Sequence, residues 1–266
     1  DYEGAAKTFS DFAKGNKGSA LATSAAYNAG INYERSQKIP DAINMYSIVV
    51  AAPVKSGDKA AAKIRTTTIL LLGRLYEQTA QYEKAAVQFE KYAKENPDDK
   101  ITPDLYYNIA VIWESQKEWY KAMANYEKYF EKSKKRDRTI AIFKIAEIHE
   151  KLKQNKAAEE NYKKYLESGG NDPERVVEAN YKIALINERR GKRDDADKGW
   201  AKTVAVQRAL SKGKPVGLVW GAEAKFKLTQ KIYDELIGLR IPANPAKQQE
   251  VIKQKLGLIT RLNNEL

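Results

Sequence analysis

Apolar residues recur along this chain at steps of three and four, the spacing that gathers side chains on one face of an α-helix. In one stretch Ile142, Ile145, Ala146 and His149 fall at i, i+3, i+4 and i+7. Segments of this kind alternate with short polar stretches, and they predict a succession of amphipathic helices. The succession is itself periodic. A small residue stands at Gly30, Gly73, Ala110, Ala146 and Ala184. Three places further on are Tyr33, Tyr76, Trp113, His149 and Asn187. Twelve places beyond the small residue is an alanine each time, Ala42, Ala85, Ala122, Ala158 and Ala196. Sixteen beyond is always an aromatic, Tyr46, Phe89, Tyr126, Tyr162 and Trp200.

Packing explains the residue types. A glycine or alanine lets two helices approach closely, and the alanine and aromatic of the second helix form the matching hole and knob. One such helix pair cannot bury its own apolar face, so neighbouring pairs must stack. The segment Leu72-Gly73-Arg74-Leu75-Tyr76, followed by Ala85, Phe89 and Pro97, resembles the signature of the tetratricopeptide repeat (TPR), a helix–turn–helix unit of about 34 residues. The resemblance implies an all-α fold, a right-handed α-solenoid of TPR-type repeats. It places five repeats at 23–56, 66–99, 103–136, 139–172 and 177–210 of a single solenoid spanning 1–266. Residues 1–20 overlay the second helix of a repeat whose first helix is not present, and residues 216–266 read as a pair of capping helices that lacks the alanine–aromatic frame.

Successive small residues are 43, 37, 36 and 38 positions apart. The excess over a strict repeat falls in linkers such as Pro53–Asp58, Ser133–Asp137 and Ser168–Pro173, where proline, glycine and charge collect. Variable linkers argue against the pentatricopeptide RNA readers, whose register needs a near-constant step. Asn171-Asp172-Pro173 reads as a helix start, a capping residue ahead of a first-turn proline.

The first helices also carry a second stripe. Three residues before each small residue stand Tyr27, Leu70, Tyr107, Phe143 and Tyr181. Seven residues after those, on the same face, is a glutamate in all five repeats: Glu34, Glu77, Glu114, Glu150 and Glu188. Asn28, Leu71, Asn108, Lys144 and Lys182 run beside the aromatics, and Arg74 lies between the rows. In TPR proteins such a row resembles the concave face, which holds an extended or helical peptide. The expected partner-binding residues are therefore Tyr27, Asn28, Arg74, Tyr107, Asn108, Phe143, Lys144, Tyr181 and Lys182. The competing reading packs the aromatics against the neighbouring repeat and pairs the glutamates with Arg35, Lys151 and Arg189. A chaperone-type carboxylate clamp is not expected, because Leu70 and Ile140 stand where it needs polar groups.

Composition narrows the chemistry further. The chain has no cysteine and one histidine, which excludes disulfides, thiol nucleophiles and two-histidine metal sites. His149 falls in a slot filled elsewhere by Tyr33, Tyr76 and Trp113, so a packing role is expected rather than catalysis. There is no phosphate-binding glycine loop, and Asp194, Asp195 and Asp197 stand at a helix start without calcium-loop spacing. No catalytic residue, metal or cofactor is expected, and the chain reads as a non-enzymatic scaffold for a protein or peptide partner. The net charge of +12 raises the alternative of a basic helical repeat binding nucleic acid or an anionic surface, its densest run being Lys132, Lys134, Lys135, Arg136 and Arg138. Elsewhere lysines are scattered among acids, the pattern of a solvated face, and the aromatics that stacking on bases would need are used by the frame. No stretch is apolar enough to be a transmembrane segment. The opening at Asp1, with no methionine, reads as an excised or processed piece. The C-terminal stretch of about 50 residues, with its runs Ala222–Leu228 and Leu236–Pro242, resembles the tail of long TPR proteins of Gram-negative envelopes, including gliding-motility ones. It implies a periplasmic or outer-membrane-associated scaffold rather than a cytoplasmic one.

Overall fold

A computed structural model describes residues 1–19, 21–134 and 137–265. Among the described residues there are thirteen α-helices and no strand. They form two compact units, Asp1–Ser133 and Lys134–Leu266. The division falls in the linker that carries the basic run. Lys132 ends a helix and Arg138 begins the next, while Lys135 and Arg136 lie outside the described residues, as do Ala20 and Leu266.

The first unit contains α1 (Tyr2–Gly15), α2 (Ala22–Arg35), α3 (Ile39–Ala51), α4 (Lys59–Gln78), α5 (Tyr82–Glu95), α6 (Thr102–Ser115) and α7 (Trp119–Lys132). Each helix packs on the one before it. The second unit contains α8 (Arg138–Lys151), α9 (Asn155–Glu167), α10 (Pro173–Arg189), α11 (Arg193–Leu210), α12 (Leu218–Gly238) and α13 (Pro245–Glu265), again packed in order. Side chains start several helices. Asp58 accepts from the Ala61 amide at 2.9 Å, and Asp172 caps α10, with Pro173 opening it, by accepting from the Glu174 amide at 3.0 Å.

The frame forms the core of both units. The five alanines and five aromatics are all buried, the most exposed being Phe89 at 4%. Two repeats show why the small residue has to be small. A Cβ added to Gly30 would lie 2.3 Å from the Tyr46 ring, and one added to Gly73 would lie 2.5 Å from Phe89. In the fifth repeat the close approach comes from the other helix, where a Cβ on Gly199 would meet the Ala184 Cβ at 2.6 Å.

Each first helix ends in the same way. The residue seven places after the small one has a left-handed backbone in all five repeats: Gln37, Ala80, Lys117, Lys153 and Gly191, with φ of 61°, 58°, 61°, 58° and 74°. The next amide, at Lys38, Gln81, Glu118, Gln154 or Lys192, donates back to the carbonyl five residues earlier at 2.7–2.9 Å. The left-handed residue's own amide donates to the glutamate carbonyl three before it at 2.9–3.0 Å. This pair of bonds is the Schellman ending, which satisfies carbonyls that a helix end would otherwise leave bare. His149 supplies one of these carbonyls, and its half-buried ring places Nδ1 2.6 Å from Gln154 Oε1.

Candidate functional site

The glutamate row follows from the frame. Tyr46 donates its hydroxyl to Glu34 at 3.0 Å, Tyr126 to Glu114 at 2.7 Å and Tyr162 to Glu150 at 3.1 Å. In each case the phenol of the second helix reaches back twelve residues to the end of the first. Where the frame aromatic has no hydroxyl, the carboxylate is released. Glu77, opposite Phe89, is exposed, and Glu188, in the repeat of Trp200, accepts from Lys227 at 3.0 Å. Burial, reinforced by the facing carboxylate, pushes the Tyr46 and Tyr162 phenols far above their ordinary range, so both stay protonated donors.

Two clefts open between consecutive first helices. In the first unit a cleft of about 450 Å³ between α2 and α4 is lined by residues that include Tyr27, Ile31, Glu34, Tyr46, Leu71 and Gln78. In the second a cleft of about 480 Å³ between α8 and α10 is lined by Glu147, Glu150, Lys151, Lys153, Asn155, Lys182 and Arg189. Here Glu150 also receives Lys182 and Arg189 at 3.1 Å each. Burial raises the Glu150 carboxyl, but Lys182, Arg189 and the Tyr162 hydroxyl outweigh it and hold the group below the usual range. Its neighbour Glu178 is pushed up, by burial first and then by the charge of Glu147.

The nine residues singled out from the sequence are distributed unevenly. Tyr27 lines the α2–α4 cleft, its ring 6.4 Å from Tyr46, and Asn28 is half-buried one residue on. Arg74 and Asn108 are exposed on α4 and α6. Tyr107 is half-buried, with ring centroids 5.6 Å from Tyr126 and 5.2 Å from Tyr129. Lys144 pairs with Glu147 at 2.9 Å, and Lys182 lines the α8–α10 cleft. Phe143 and Tyr181 are only 2% and 6% exposed. Phe143 packs on Tyr162 and Tyr165, with centroids 5.4 and 5.1 Å apart, and Tyr181 packs on Trp200 and Trp220. The expectation that these two offer apolar surface is therefore corrected, because neighbouring rings bury them, and the Arg175 guanidinium stands over the Phe143 ring at 5.8 Å. The competing reading of the glutamates holds at Glu150, which Arg189 pairs with, whereas Arg35 stands over the Tyr2 ring at 5.4 Å. Lys151 and Lys153 were missed as cleft residues, since a lysine at a helix end carries no sequence signal separating it from solvated lysines. Asp197 is tied to Lys231, and among the described residues no acidic or histidine cluster could hold a metal.

The sequence profile of the tetratricopeptide repeat matches residues 67–99 and 141–168. No curated protein matches the chain. Among solved structures, the C-terminal part of a TPR repeat-containing protein from Cytophaga hutchinsonii is similar over all of this chain and 94% of its own, at 14% identity and a TM-score of 0.50. The MamA protein aligns over 73% of this chain and 97% of its own, at 18% identity and a TM-score of 0.48. YrrB, described as a TPR protein with an unusual peptide-binding site, aligns over 76% and 94%, at 16% identity and a TM-score of 0.44. Two repeats match the profile, three more share their frame, turn and helix pairing, and the helical fold is shared with a known TPR structure: the chain carries tetratricopeptide repeats.

Proposed function

We propose that the chain is a non-enzymatic protein-interaction scaffold that holds a partner segment against its first helices. The observation that carries this reading is that both clefts lie between consecutive first helices, the first setting aromatic and aliphatic walls around Glu34 and the second gathering convergent charged groups around Glu150, as recognition sites do. Tyr27, Asn28, Arg74, Tyr107 and Asn108 are the contact row in the first unit. Lys144 and Lys182 serve the second, Lys182 lying over the Trp220 ring at 5.7 Å. The envelope setting implied by the C-terminal resemblance is carried as part of the proposal and is read by cell fractionation. Photo-crosslinkers at Asn28, Asn108, Lys144 and Lys182 test the surface. A captured partner should crosslink from these positions, and Tyr107→Ala with Lys144→Ala should abolish capture without loss of helicity. Crosslinks confined to the outer faces of the second helices would overturn the reading.

A further inference from the structure

The excess positive charge is not spread evenly. Asp1–Ser133 carries 18 lysines and arginines against 17 acids, whereas Lys134–Leu266 carries 29 against 18. Within the second unit one segment holds no acid at all. Lys198, Lys202, Arg208, Lys212 and Lys214 follow one another, and the next carboxylate is Glu223. All five cations are exposed, and among the described residues none has an ion-pair partner. On α7 and α9, by contrast, Lys121 lies 3.4 Å from Glu118 and Lys156 lies 4.0 Å from Glu160.

The fold turns this run into a surface. In α11 Ala196, Trp200 and Thr203 are buried, and the opposite face carries Lys198, Ala201, Lys202, Ala205 and Ala209 at steps of three and four. Only alanines separate the lysines, so nothing bulky holds a flat partner away. The loop after α11 is tied down. Gln207 Nε2 donates to Ser211 Oγ at 2.8 Å, the Val216 amide donates to the same oxygen at 3.1 Å, and the Gly217 amide donates to Glu174 at 2.7 Å. This loop presents Lys212 and Lys214 at the α11–α12 corner, next to Leu218 and Val219, which are 56% and 64% exposed. Unpaired cations beside exposed aliphatic side chains suit an anionic lipid surface, where cations meet headgroups and aliphatics enter the boundary below them. Nucleic acid fits less well, because the two aromatics of this segment, Trp200 and Trp220, pack on Tyr181 and are not free to stack on bases.

We propose that the α11–α12 corner, with Arg208, Lys212, Lys214, Leu218 and Val219, docks on an anionic lipid surface, and that Lys198 and Lys202 extend the contact along α11. The test is co-sedimentation of the 266-residue chain with vesicles of phosphatidylcholine alone and of equal parts phosphatidylcholine and phosphatidylserine. Binding is expected to the mixed vesicles only, and it should weaken as salt is added. Arg208→Ala with Lys212→Ala and Lys214→Ala should weaken it about a hundredfold, each cation near such a surface contributing about a factor of five. Leu218→Ser with Val219→Ser should weaken it about tenfold. Lys7→Ala with Lys14→Ala and Lys17→Ala removes as much charge from exposed sites of the first unit and should leave binding unchanged. Circular dichroism should be the same for every variant. No binding to the mixed vesicles, or an equal loss in both triple variants, overturns the proposal. So does tighter binding of a short DNA duplex than of the vesicles, lost in the Arg208 triple variant and indifferent to Leu218 and Val219. The clefts between first helices are untouched by these changes, so failure here leaves the cleft reading standing, and the reverse also holds.

Discussion

The two clefts are built on one frame and differ in what surrounds the same glutamate. In the α2–α4 cleft Glu34 accepts the Tyr46 hydroxyl and, among the described residues, makes no ion pair, and Tyr27 and Ile31 give the walls an apolar character. In the α8–α10 cleft Glu150 accepts Tyr162, Lys182 and Arg189 together, and Lys151 and Lys153 add further cations. The frame decides where a carboxylate stands; the residues flanking it decide whether that carboxylate is saturated. Under the proposed function, the first cleft presents apolar and neutral polar groups to a partner segment, and the second presents mainly charged ones.

The comparison fails at once if the frame is not common to both. Tyr46→Ala and Tyr162→Ala empty fully buried aromatic sites in the two units, so each is expected to cost about 3–5 kcal/mol of local stability. Hydrogen exchange on the flanking helices reads this, and a large loss in only one unit would break the equivalence. A milder pair of changes probes the difference itself. Tyr46→Phe leaves half-buried Glu34 without its donor and should cost about 1.5 kcal/mol, whereas Tyr162→Phe leaves Glu150 two cations and should cost about 0.5 kcal/mol. Denaturant titration followed by the same exchange probes would show the order, and equal costs would mean that the flanking cations contribute nothing. The shared turn gives a third test of similar size. Gln37→Gly and Lys153→Gly relieve a left-handed non-glycine residue and should each stabilise by about 1 kcal/mol, with Gly191→Ala costing about as much.

The smallest expected effect is a two-signed pH dependence in the second unit. The folded-state acidity of Glu150 is increased, so its contribution is present above the ordinary carboxylate range and lost as pH falls through its lowered value. Glu178 is shifted the other way, so the folded unit gains stability as pH falls through its raised value. Thermal melts from neutral pH downward should thus show a slight rise followed by a decline. Glu178→Gln should remove the rise and Glu150→Gln should flatten the decline. A monotonic profile in the wild-type chain would remove Glu178 from the account.

Much of this was legible before any coordinates. The small–alanine–aromatic frame could be read because close helix packing tolerates few residue types at those positions, and Gly30 and Gly73 show the intolerance directly. The tyrosine–glutamate bond was also readable in principle, since glutamate meets a phenol twelve residues later in three repeats and is released where Phe89 or Trp200 stands instead. The left-handed turn was not. Four of its five positions hold Gln37, Ala80, Lys117 and Lys153, none a strong turn former, and only Gly191 carries a signal. Nor could Phe143 and Tyr181 be told from Tyr27 and Tyr107 by spacing, since Tyr107 has two ring neighbours placed as those of Phe143 are and is nonetheless half-buried.

The amino-acid sequence by itself determined the helix pairs, their register and the identity of the core. Those follow from side-chain volume and from a period that every repeat must obey. Tertiary structure alone decided which members of a row remain at the surface and which carboxylates are saturated. These properties depend on what a neighbouring helix places opposite a residue, and that is fixed by packing between elements rather than by spacing within one.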